Sequence, residues 1–238
     1  MVRISVILCS YNGETTLEAA LNSALIQSMD PAEYEVILVD DGSTDGTSAI
    51  ASSYLTRYPN FRYQRDAVNR GLVSACNRGL KMARGRYVIR LDDDDIFDRE
   101  ILGRLVQPLD EDQTDLVYCD RYEVLTSTGE KKYVSLANSN LFELTAAGVM
   151  MRRDLLTELK GYRDLFWEEY DLYIRYAQRS RRPFFHIPQP LYRYNRRPGS
   201  LTMTRSGENV RLGWQELKSA WGEETLRRFG WDPATVEH

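Results

Sequence analysis

The first half of the chain alternates short apolar runs with segments of helical periodicity. Runs typical of buried strands cover residues 4–9, 36–39 and 87–91. Apolar side chains recur at helical spacing in residues 17–25, 48–58 and 72–83. Near-continuous apolar strands separated by amphipathic helices are typical of a mainly parallel sheet with helices on both faces. The pattern therefore predicts an α/β fold.

The pattern changes after Pro108. A strand over residues 116–124, a turn and a returning strand over 131–134 indicate a hairpin. Further strands are predicted at residues 148–151, 184–187 and 191–194, and helices at 154–160, 168–179 and 210–229. We expect one domain over residues 1–205, in which residues 1–108 and 109–205 form two halves, and a helical extension over residues 206–238.

Composition narrows the class of protein. The 238 residues carry 31 basic and 35 acidic side chains, and this net charge of −4 argues against a nucleic-acid-binding protein. The apolar runs are too short to span a bilayer, and the first residues do not resemble a signal peptide. The three cysteines have no metal-ligand spacing and are predicted to be buried thiols in a reducing compartment. We therefore expect a cytoplasmic protein, with peripheral contact at the inner face of the membrane left open.

Polar or acidic clusters follow three of the predicted parallel strands. They are Ser10-Tyr11-Asn12, Asp40-Asp41 and Asp92 to Asp95. In open α/β sheets, ligands bind outside the carboxyl ends of the strands, so the three clusters predict one shared site. Turn formation alone would also explain Asp-Gly-Ser after the second strand.

Four consecutive aspartates indicate a cation site, because like charges repel one another unless a cation lies between them. Asp92 and Asp94 would point to the same side of an extended segment and are the predicted ligand pair. Mg²⁺ and Mn²⁺ prefer such carboxylates and retain positions for substrate phosphates. An EF-hand does not fit, since Phe97 and Gly103 occupy the places of its required glycine and glutamate. Neither glycine-rich phosphate-loop motif follows the first strand.

Aromatic and acidic side chains occur together at two further places. Glu168, Glu169 and Asp171 begin a predicted helix, where acids also complement the helix dipole. Beside Trp167 and Tyr170, however, a carboxylate would have a raised pKa, as suits a general base. Tyr11 has two interpretations, because its ring could stack on a nucleobase or pack in the core.

These motifs, in this order, resemble the family 2 glycosyltransferases over residues 2–200. The resemblance is carried by VILCSYNGETTLEAALNSALIQS, YEVILVDDGSTDGT, NRGLVSACNRGLKMARGRYVIRLDDDD, GVMMRRDLLTELKGYRD and EEYDLYIR. It implies a GT-A fold with a Rossmann-like sheet. It also implies an inverting enzyme that moves one sugar from a nucleoside diphosphate sugar, with a UDP-sugar favoured, to an acceptor hydroxyl. The implied setting is polysaccharide or glycoconjugate synthesis, with a glycan or lipid-linked acceptor.

The resemblance assigns roles to matching positions. The nucleotide-binding residues it implies are Ser10, Tyr11, Asn12, Asp40, Asp41, Asn69, Asp92 and Asp93. The DxD motif, Asp92-x-Asp94, would hold Mn²⁺ or Mg²⁺ and the diphosphate. Arg197 stands where many relatives have a histidine and would contact the diphosphate. The absence of Gln-x-x-Arg-Trp and of membrane helices implies transfer of a single sugar rather than polymer synthesis.

The general base of the family is the second acid of a Glu-Asp motif. That motif falls on Glu168-Glu169, so the implied base is Glu169 with a side chain one methylene longer than aspartate. Asp171 and Glu168 are the fallback candidates.

Three other classes remain to be compared with this interpretation. A sugar-1-phosphate nucleotidyltransferase would release pyrophosphate and begins with a glycine-rich loop, where this chain has Ser10-Tyr11-Asn12-Gly13. A non-catalytic nucleotide-sugar-binding module would bind donor without turnover, although the aspartate run argues against it. A response-regulator receiver domain would be about half this length.

Overall fold

The computed structural model describes residues 1–197 and 207–232 of the chain. Its strands are β1 (Ile4–Ser10), β2 (Tyr34–Asp40), β3 (Phe61–Arg65), β4 (Tyr87–Asp92), β5 (Ile96–Phe97), β6 (Leu116–Leu125), β7 (Glu130–Val134), β8 (Val149–Arg152) and β9 (Phe185–Arg196). Its helices are α1 (Leu17–Leu25), α2 (Thr47–Leu55), α3 (Leu72–Met82), α4 (Ile101–Asp110), α5 (Arg153–Glu158), α6 (Glu168–Arg179), α7 (Gly207–Trp221) and α8 (Glu223–Arg228).

The strands form one sheet in the order β3-β2-β1-β4-β8-β6-β9-β5, with β7 added beside β6. The first four strands are parallel, as the apolar runs predicted. Beyond β4 the sheet is mixed, because β8 runs antiparallel to both β4 and β6 while β9 is parallel to β6. The predicted α/β class is confirmed, and the second half adds an antiparallel part to the sheet.

Helices cover both faces of the sheet because successive strand residues point to opposite sides. On β1, Val6 and Leu8 belong to a buried cluster with α1, α2 and α4. Ile7 and Cys9 belong to a second cluster with α3, α6 and α7. The helix α7, predicted as an extension, is part of this second core through Trp214, which is 2% exposed.

Two of the predicted elements have a different form in the structure. Strand β9 continues through Pro188 and Pro190, where two short strands were predicted, and its pairing with β6 shifts register on either side of Asp120. The predicted helix over residues 210–229 is divided at Gly222, whose φ of 73° interrupts helical geometry. The predicted boundary at residue 205 lies outside the described residues.

Among the helices of the described residues, none combines the length and the apolar character needed to cross a bilayer.

Candidate active site

A cleft of about 700 Å³ lies at the carboxyl ends of the parallel strands. Strand pairing brings the predicted clusters together there, because Ser10 of β1 is opposite Asp40 of β2 and Cys9 is opposite Asp92 of β4. The volume is that of a typical small-molecule site. The predicted residues that line the cleft are Ser10, Tyr11, Asp41, Asn69, Asp92, Asp93, Asp94, Glu168, Glu169 and Arg197.

The end of β1 and the loop after it contribute two of the three predicted residues to the cleft. Tyr11 is 49% exposed, so its ring is available to a ligand and is not a core side chain. The Ser10 hydroxyl donates a hydrogen bond to Asp93. Asn12 has a structural role instead: it adopts a φ of 54°, and its side-chain oxygen accepts a 2.9 Å hydrogen bond from the backbone N–H of Thr44. Asn12 is not among the cleft residues.

The adjacent acids Asp40 and Asp41 occupy different environments. Asp40 is fully buried and accepts hydrogen bonds from the backbone of Ser43 and the hydroxyl of Tyr63, so the structure does not bring it to the cleft as predicted. Asp41 does line the cleft. Its carboxylate accepts backbone hydrogen bonds of 2.7–3.0 Å from Arg70 and Gly71, which fix the loop that carries Asn69.

The aspartate run after β4 concentrates negative charge at the cleft. Asp94 accepts a 2.7 Å hydrogen bond from Arg197 Nε, which joins the run to the end of β9. Burial, followed by the charges of Asp94 and Asp92, raises the pKa of Asp93 to about 7, although the Ser10 hydroxyl opposes the shift. Asp95 is fully buried, and Tyr192 and the backbone of Asn195 donate hydrogen bonds to it.

The carboxylate oxygens of the cleft could hold a hard divalent cation only if a bound ligand supplied further oxygen atoms. In the portion of the chain that the structure describes, no three Asp, Glu, His or Cys side chains are arranged to hold a metal ion. The carboxylates of Asp92 and Asp94 are hard oxygen donors that face the cleft. Mg²⁺ in particular is often held by one or two carboxylates with water and phosphate oxygens completing its shell. The residues present therefore fit a cation whose coordination shell is completed by the oxygens of a diphosphate.

The two acids that begin α6 also differ in surroundings. Glu168 is 4% exposed and accepts a hydrogen bond of 3.3 Å from Arg90. Glu169 is half-buried and lines the cleft. Burial, followed by the charge of Glu168, raises the pKa of Glu169 to about 8. Such a group is a stronger base than an ordinary carboxylate once it is ionised.

Arg90 connects the two acidic parts of the cleft. Its guanidinium donates to both oxygens of Asp92, at 2.7 and 3.2 Å, and to Glu168. Sequence reasoning missed this residue, although a signal was available. An arginine within the otherwise apolar run YVIRL is a buried charge, and such charges require partners.

Asp171, a fallback candidate for the base, is not in the cleft. It is fully buried and pairs with Arg175 at 2.7 Å, and Trp221 Nε1 donates a 3.1 Å hydrogen bond to it. Helix geometry explains why Asp171 lies outside the cleft. Residues two apart on a helix are about 200° apart around its axis, so Asp171 and Glu169 face nearly opposite sides.

The remaining cleft residues come from the ends of β1, β4 and β9, the amino end of α3, the segment before β8 and the start of α6. They are Cys9, Gly71, Leu72, Ala75, Thr145, Ala146, Ala147, Trp167, Tyr170, Tyr194 and Asn195, with Arg90. Trp167 and Tyr170 stack with ring centroids 5.3 Å apart, which gives the cleft an aromatic wall beside Glu169.

Comparison with known sequences gives a family match across most of the chain. The family model described as "Glycosyl transferase family 2" matches residues 5–186. EpsJ of Bacillus subtilis, an uncharacterized glycosyltransferase, is 33% identical over 66% of this chain and 42% of its own length. TarS of Staphylococcus aureus, a poly(ribitol-phosphate) β-N-acetylglucosaminyltransferase, is 33% identical over 49% of this chain and 20% of its own length. The chain thus spans less than half of either relative.

Solved structures show the same fold. TarS residues 1–349 in complex with UDP-GlcNAc superpose with a TM-score of 0.79 at 22% identity, covering 98% of this chain and 74% of that one. The mannosyltransferase PcManGT of Pyrobaculum calidifontis, in complex with GDP-Man and Mn²⁺, gives a TM-score of 0.68 at 19% identity, covering 98% and 66%.

Proposed function

This chain belongs to glycosyl transferase family 2, and from that premise we propose that it transfers one sugar from a nucleoside diphosphate sugar to an acceptor hydroxyl in polysaccharide or glycoconjugate synthesis. One observation carries the proposal. Asp92, Asp93 and Asp94 line the same cleft as Glu169, a carboxylic acid whose pKa is raised. The aspartates could hold a divalent cation that stabilises a negatively charged leaving group. Glu169 could remove the proton from an attacking hydroxyl.

The donor side of the cleft is assigned to Tyr11, Asp41 and Asn69 for the nucleoside and to the aspartate run with Arg197 for the diphosphate. Tyr11 supports this assignment because its exposed ring offers a stacking surface. TarS and PcManGT, which are bound to UDP-GlcNAc and GDP-Man, make nucleoside diphosphate sugars the first donors to test. UDP-sugars are favoured among them.

The leaving diphosphate accumulates negative charge as its bond to the anomeric carbon breaks. Arg197 is placed to neutralise part of this charge, since its Nε already contacts Asp94 at the cleft. Asp92 and Asp94 would hold Mn²⁺ or Mg²⁺, which when bound supplies Lewis-acid stabilisation of the leaving oxygens. Arg90 keeps the Asp92 carboxylate oriented through its two hydrogen bonds.

The acceptor side is assigned to Glu169. Its carboxylate accepts the proton of the acceptor hydroxyl while that oxygen attacks the anomeric carbon in a single displacement with inversion. A pKa of about 8 means that Glu169 must first lose its own proton. The aromatic wall of Trp167 and Tyr170 excludes water from one side of the base.

A calorimetric screen tests the proposal. Nucleotides and nucleotide sugars are added to the protein with and without Mn²⁺, and the melting temperature is recorded. A donor at 100 times its Kd stabilises the folded state by about 2.7 kcal/mol, so the matching nucleoside diphosphate sugar and its diphosphate raise the melting temperature. Product analysis follows. Release of a nucleoside diphosphate supports the proposal, whereas release of pyrophosphate would identify a nucleotidyltransferase and binding without turnover a non-catalytic module.

A further inference from the structure

Two of the three cysteines form a close pair beneath the cleft. The Sγ atoms of Cys9 and Cys76 are 3.6 Å apart, and both residues are buried. They come from different elements, since Cys9 is near the end of β1 and Cys76 is in the second turn of α3. Cys119 belongs to the core on the opposite face of the sheet. The pair is therefore separate from the third thiol.

Both β1 and α3, which carry the two cysteines, contribute residues to the cleft. Cys9 lines the cleft, precedes Ser10 and is opposite Asp92 in the β1–β4 pairing. Ala75, which precedes Cys76, also lines the cleft. A small oxidant in the cleft can therefore reach Cys9, and a change at the pair is next to residues assigned to the donor.

We propose that Cys9 and Cys76 are a redox-modification site that closes to a disulfide under peroxide and thereby weakens binding in the cleft. A disulfide bond is about 2.0 Å long, so the two sulfurs need to approach by about 1.6 Å from the observed 3.6 Å. Rotation of the two side chains about their Cα–Cβ bonds is the movement that this approach requires. The ligand whose binding is weakened is a nucleoside diphosphate, and the identity of that ligand rests on the proposed function.

The chemistry takes two steps and one peroxide. The Cys9 thiol gives up its proton and its sulfur attacks one peroxide oxygen; the O–O bond breaks, Cys9 sulfenic acid forms, and the leaving hydroxide takes the proton to become the first water. The Cys76 sulfur then attacks the sulfenic sulfur of Cys9 and the S–S bond forms. The S–O bond breaks, and the hydroxyl of the sulfenic acid leaves with the Cys76 proton as the second water. Two thiols lose two electrons and two protons in total, and hydrogen peroxide is reduced to two waters. A small dithiol reverses the modification by thiol–disulfide exchange.

The pair is buried, which limits the access of peroxide to the two sulfurs. The hydrogen bond with Cys76, together with burial, raises the pKa of the Cys9 thiol well above its usual value. A ligand in the cleft also covers Cys9 and is expected to slow its oxidation.

The first measurement locates the bond. Folded protein is treated with hydrogen peroxide, denatured, alkylated and digested, and its peptides are analysed by mass spectrometry. We expect a cross-linked peptide pair containing Cys9 and Cys76, with Cys119 still alkylated, and loss of the cross-link after treatment with dithiothreitol. The variant Cys119→Ala is the matched control and should form the same cross-link, while Cys76→Ala should form none.

The second measurement tests the effect on binding. The rise in melting temperature caused by nucleoside diphosphate with Mn²⁺ should be lost in cross-linked wild type, recovered on reduction, and unaffected by peroxide in Cys76→Ala. Full alkylation of all three thiols after peroxide, or a nucleotide response unchanged by the cross-link, would overturn the proposal. If reduced protein responds to no nucleotide, the proposed function fails, and the peptide map still decides whether the modification site exists.

Discussion

Glu168 and Glu169 illustrate how neighbouring carboxylates acquire different roles. Glu168 faces the buried guanidinium of Arg90, and Glu169 faces the cleft. The charge of Glu168 contributes to the raised pKa of Glu169, because two adjacent carboxylates resist ionising together. Glu169, the base that the resemblance implies, lines the cleft, but the sequence alone did not reveal that Arg90 lies between the two acidic parts.

Replacing Glu169 by glutamine is expected to abolish base catalysis while leaving the donor side intact. Loss of a general base typically lowers turnover by about 10²- to 10⁴-fold. We therefore expect Glu169→Gln to lose at least two orders of magnitude in kcat and to retain the donor-induced rise in melting temperature. Glu169→Asp is the matched control and should retain more activity. Near-normal turnover of the glutamine variant would show that Glu169 is not the base.

The same carboxyl group should make stability depend on pH. Its pKa is about 8 in the folded protein, against about 4.3 in an unfolded chain. Between these values the folded state holds the proton more tightly, so the stabilisation is complete at low pH and declines as pH rises to about 8. Urea unfolding of wild type and of Glu169→Gln at several pH values measures this contribution to the free energy of unfolding. The stability of wild type relative to the variant should fall from pH 5 to pH 8; parallel pH curves would contradict the assignment.

Helix α3 shows what sequence periodicity predicts at the scale of an element. Its apolar spacing gave a helix over residues 72–83, and the structure has Leu72–Met82. What the pattern did not show is how closely the helix approaches the sheet. Gly79 lies directly on β1, where an added Cβ would overlap the side chain of Ile7. Close packing of this kind depends on the neighbouring element, which lies far away in the chain.

Two glycine substitutions test this difference between helices. Gly79→Ala should destabilise the protein by about 1–3 kcal/mol, because it forces α3 away from β1. Gly103→Ala in α4 has open space around the added methyl group and should stabilise the protein by about 0.5–1 kcal/mol through helix propensity. Urea unfolding gives both values. Equal effects at the two positions would show that α3 does not pack tightly on β1.

Other elements could be predicted only in part. The first three apolar runs became β1, β2 and β4 because buried parallel strands leave a strong apolar signal. The prolines in β9 suggested an interruption, but the register shift beside Asp120 accommodates them. Gly222 divides the last predicted helix, and an isolated glycine within a periodic segment does not reveal this from sequence alone.

At the scale of the whole molecule, the sheet order creates the site. Parallel pairing of β2, β1 and β4 aligns their carboxyl ends, and α6 and β9 bring Glu169 and Arg197 from the second half of the chain. The clustering of the early acids was predictable from strand patterns. The aromatic neighbours of the acids at the start of α6 indicated a candidate base, and the resemblance implied Glu169 among them. The position of β9 in the sheet could not be read from local periodicity.

Cation dependence is the expected behaviour of this assembled site. The negative charge of the aspartate run and that of a diphosphate repel each other, so a divalent ion should strengthen nucleotide binding. Adding Mn²⁺ should increase the nucleotide-induced rise in melting temperature, and a chelator should reverse the increase. Asp94→Asn should lose the Mn²⁺-dependent part. Asp98 is exposed, so Asp98→Asn is the control and should keep the Mn²⁺-dependent part of the rise in melting temperature. If Asp94→Asn also keeps the Mn²⁺-dependent part, the cation is not bound by Asp94.

All four tryptophans of the chain belong to the core on a single face of the sheet. Trp167 lies in the cleft wall, with its ring centroid 5.6 Å from that of Trp214, and Trp214 is 6.5 Å from Trp231. Indole emission from this protein therefore originates from one side of the molecule, and excitation can pass between these neighbouring rings. A molecule that enters the cleft beside Trp167 should change that emission, so the protein carries its own fluorescent reporter of cleft occupancy.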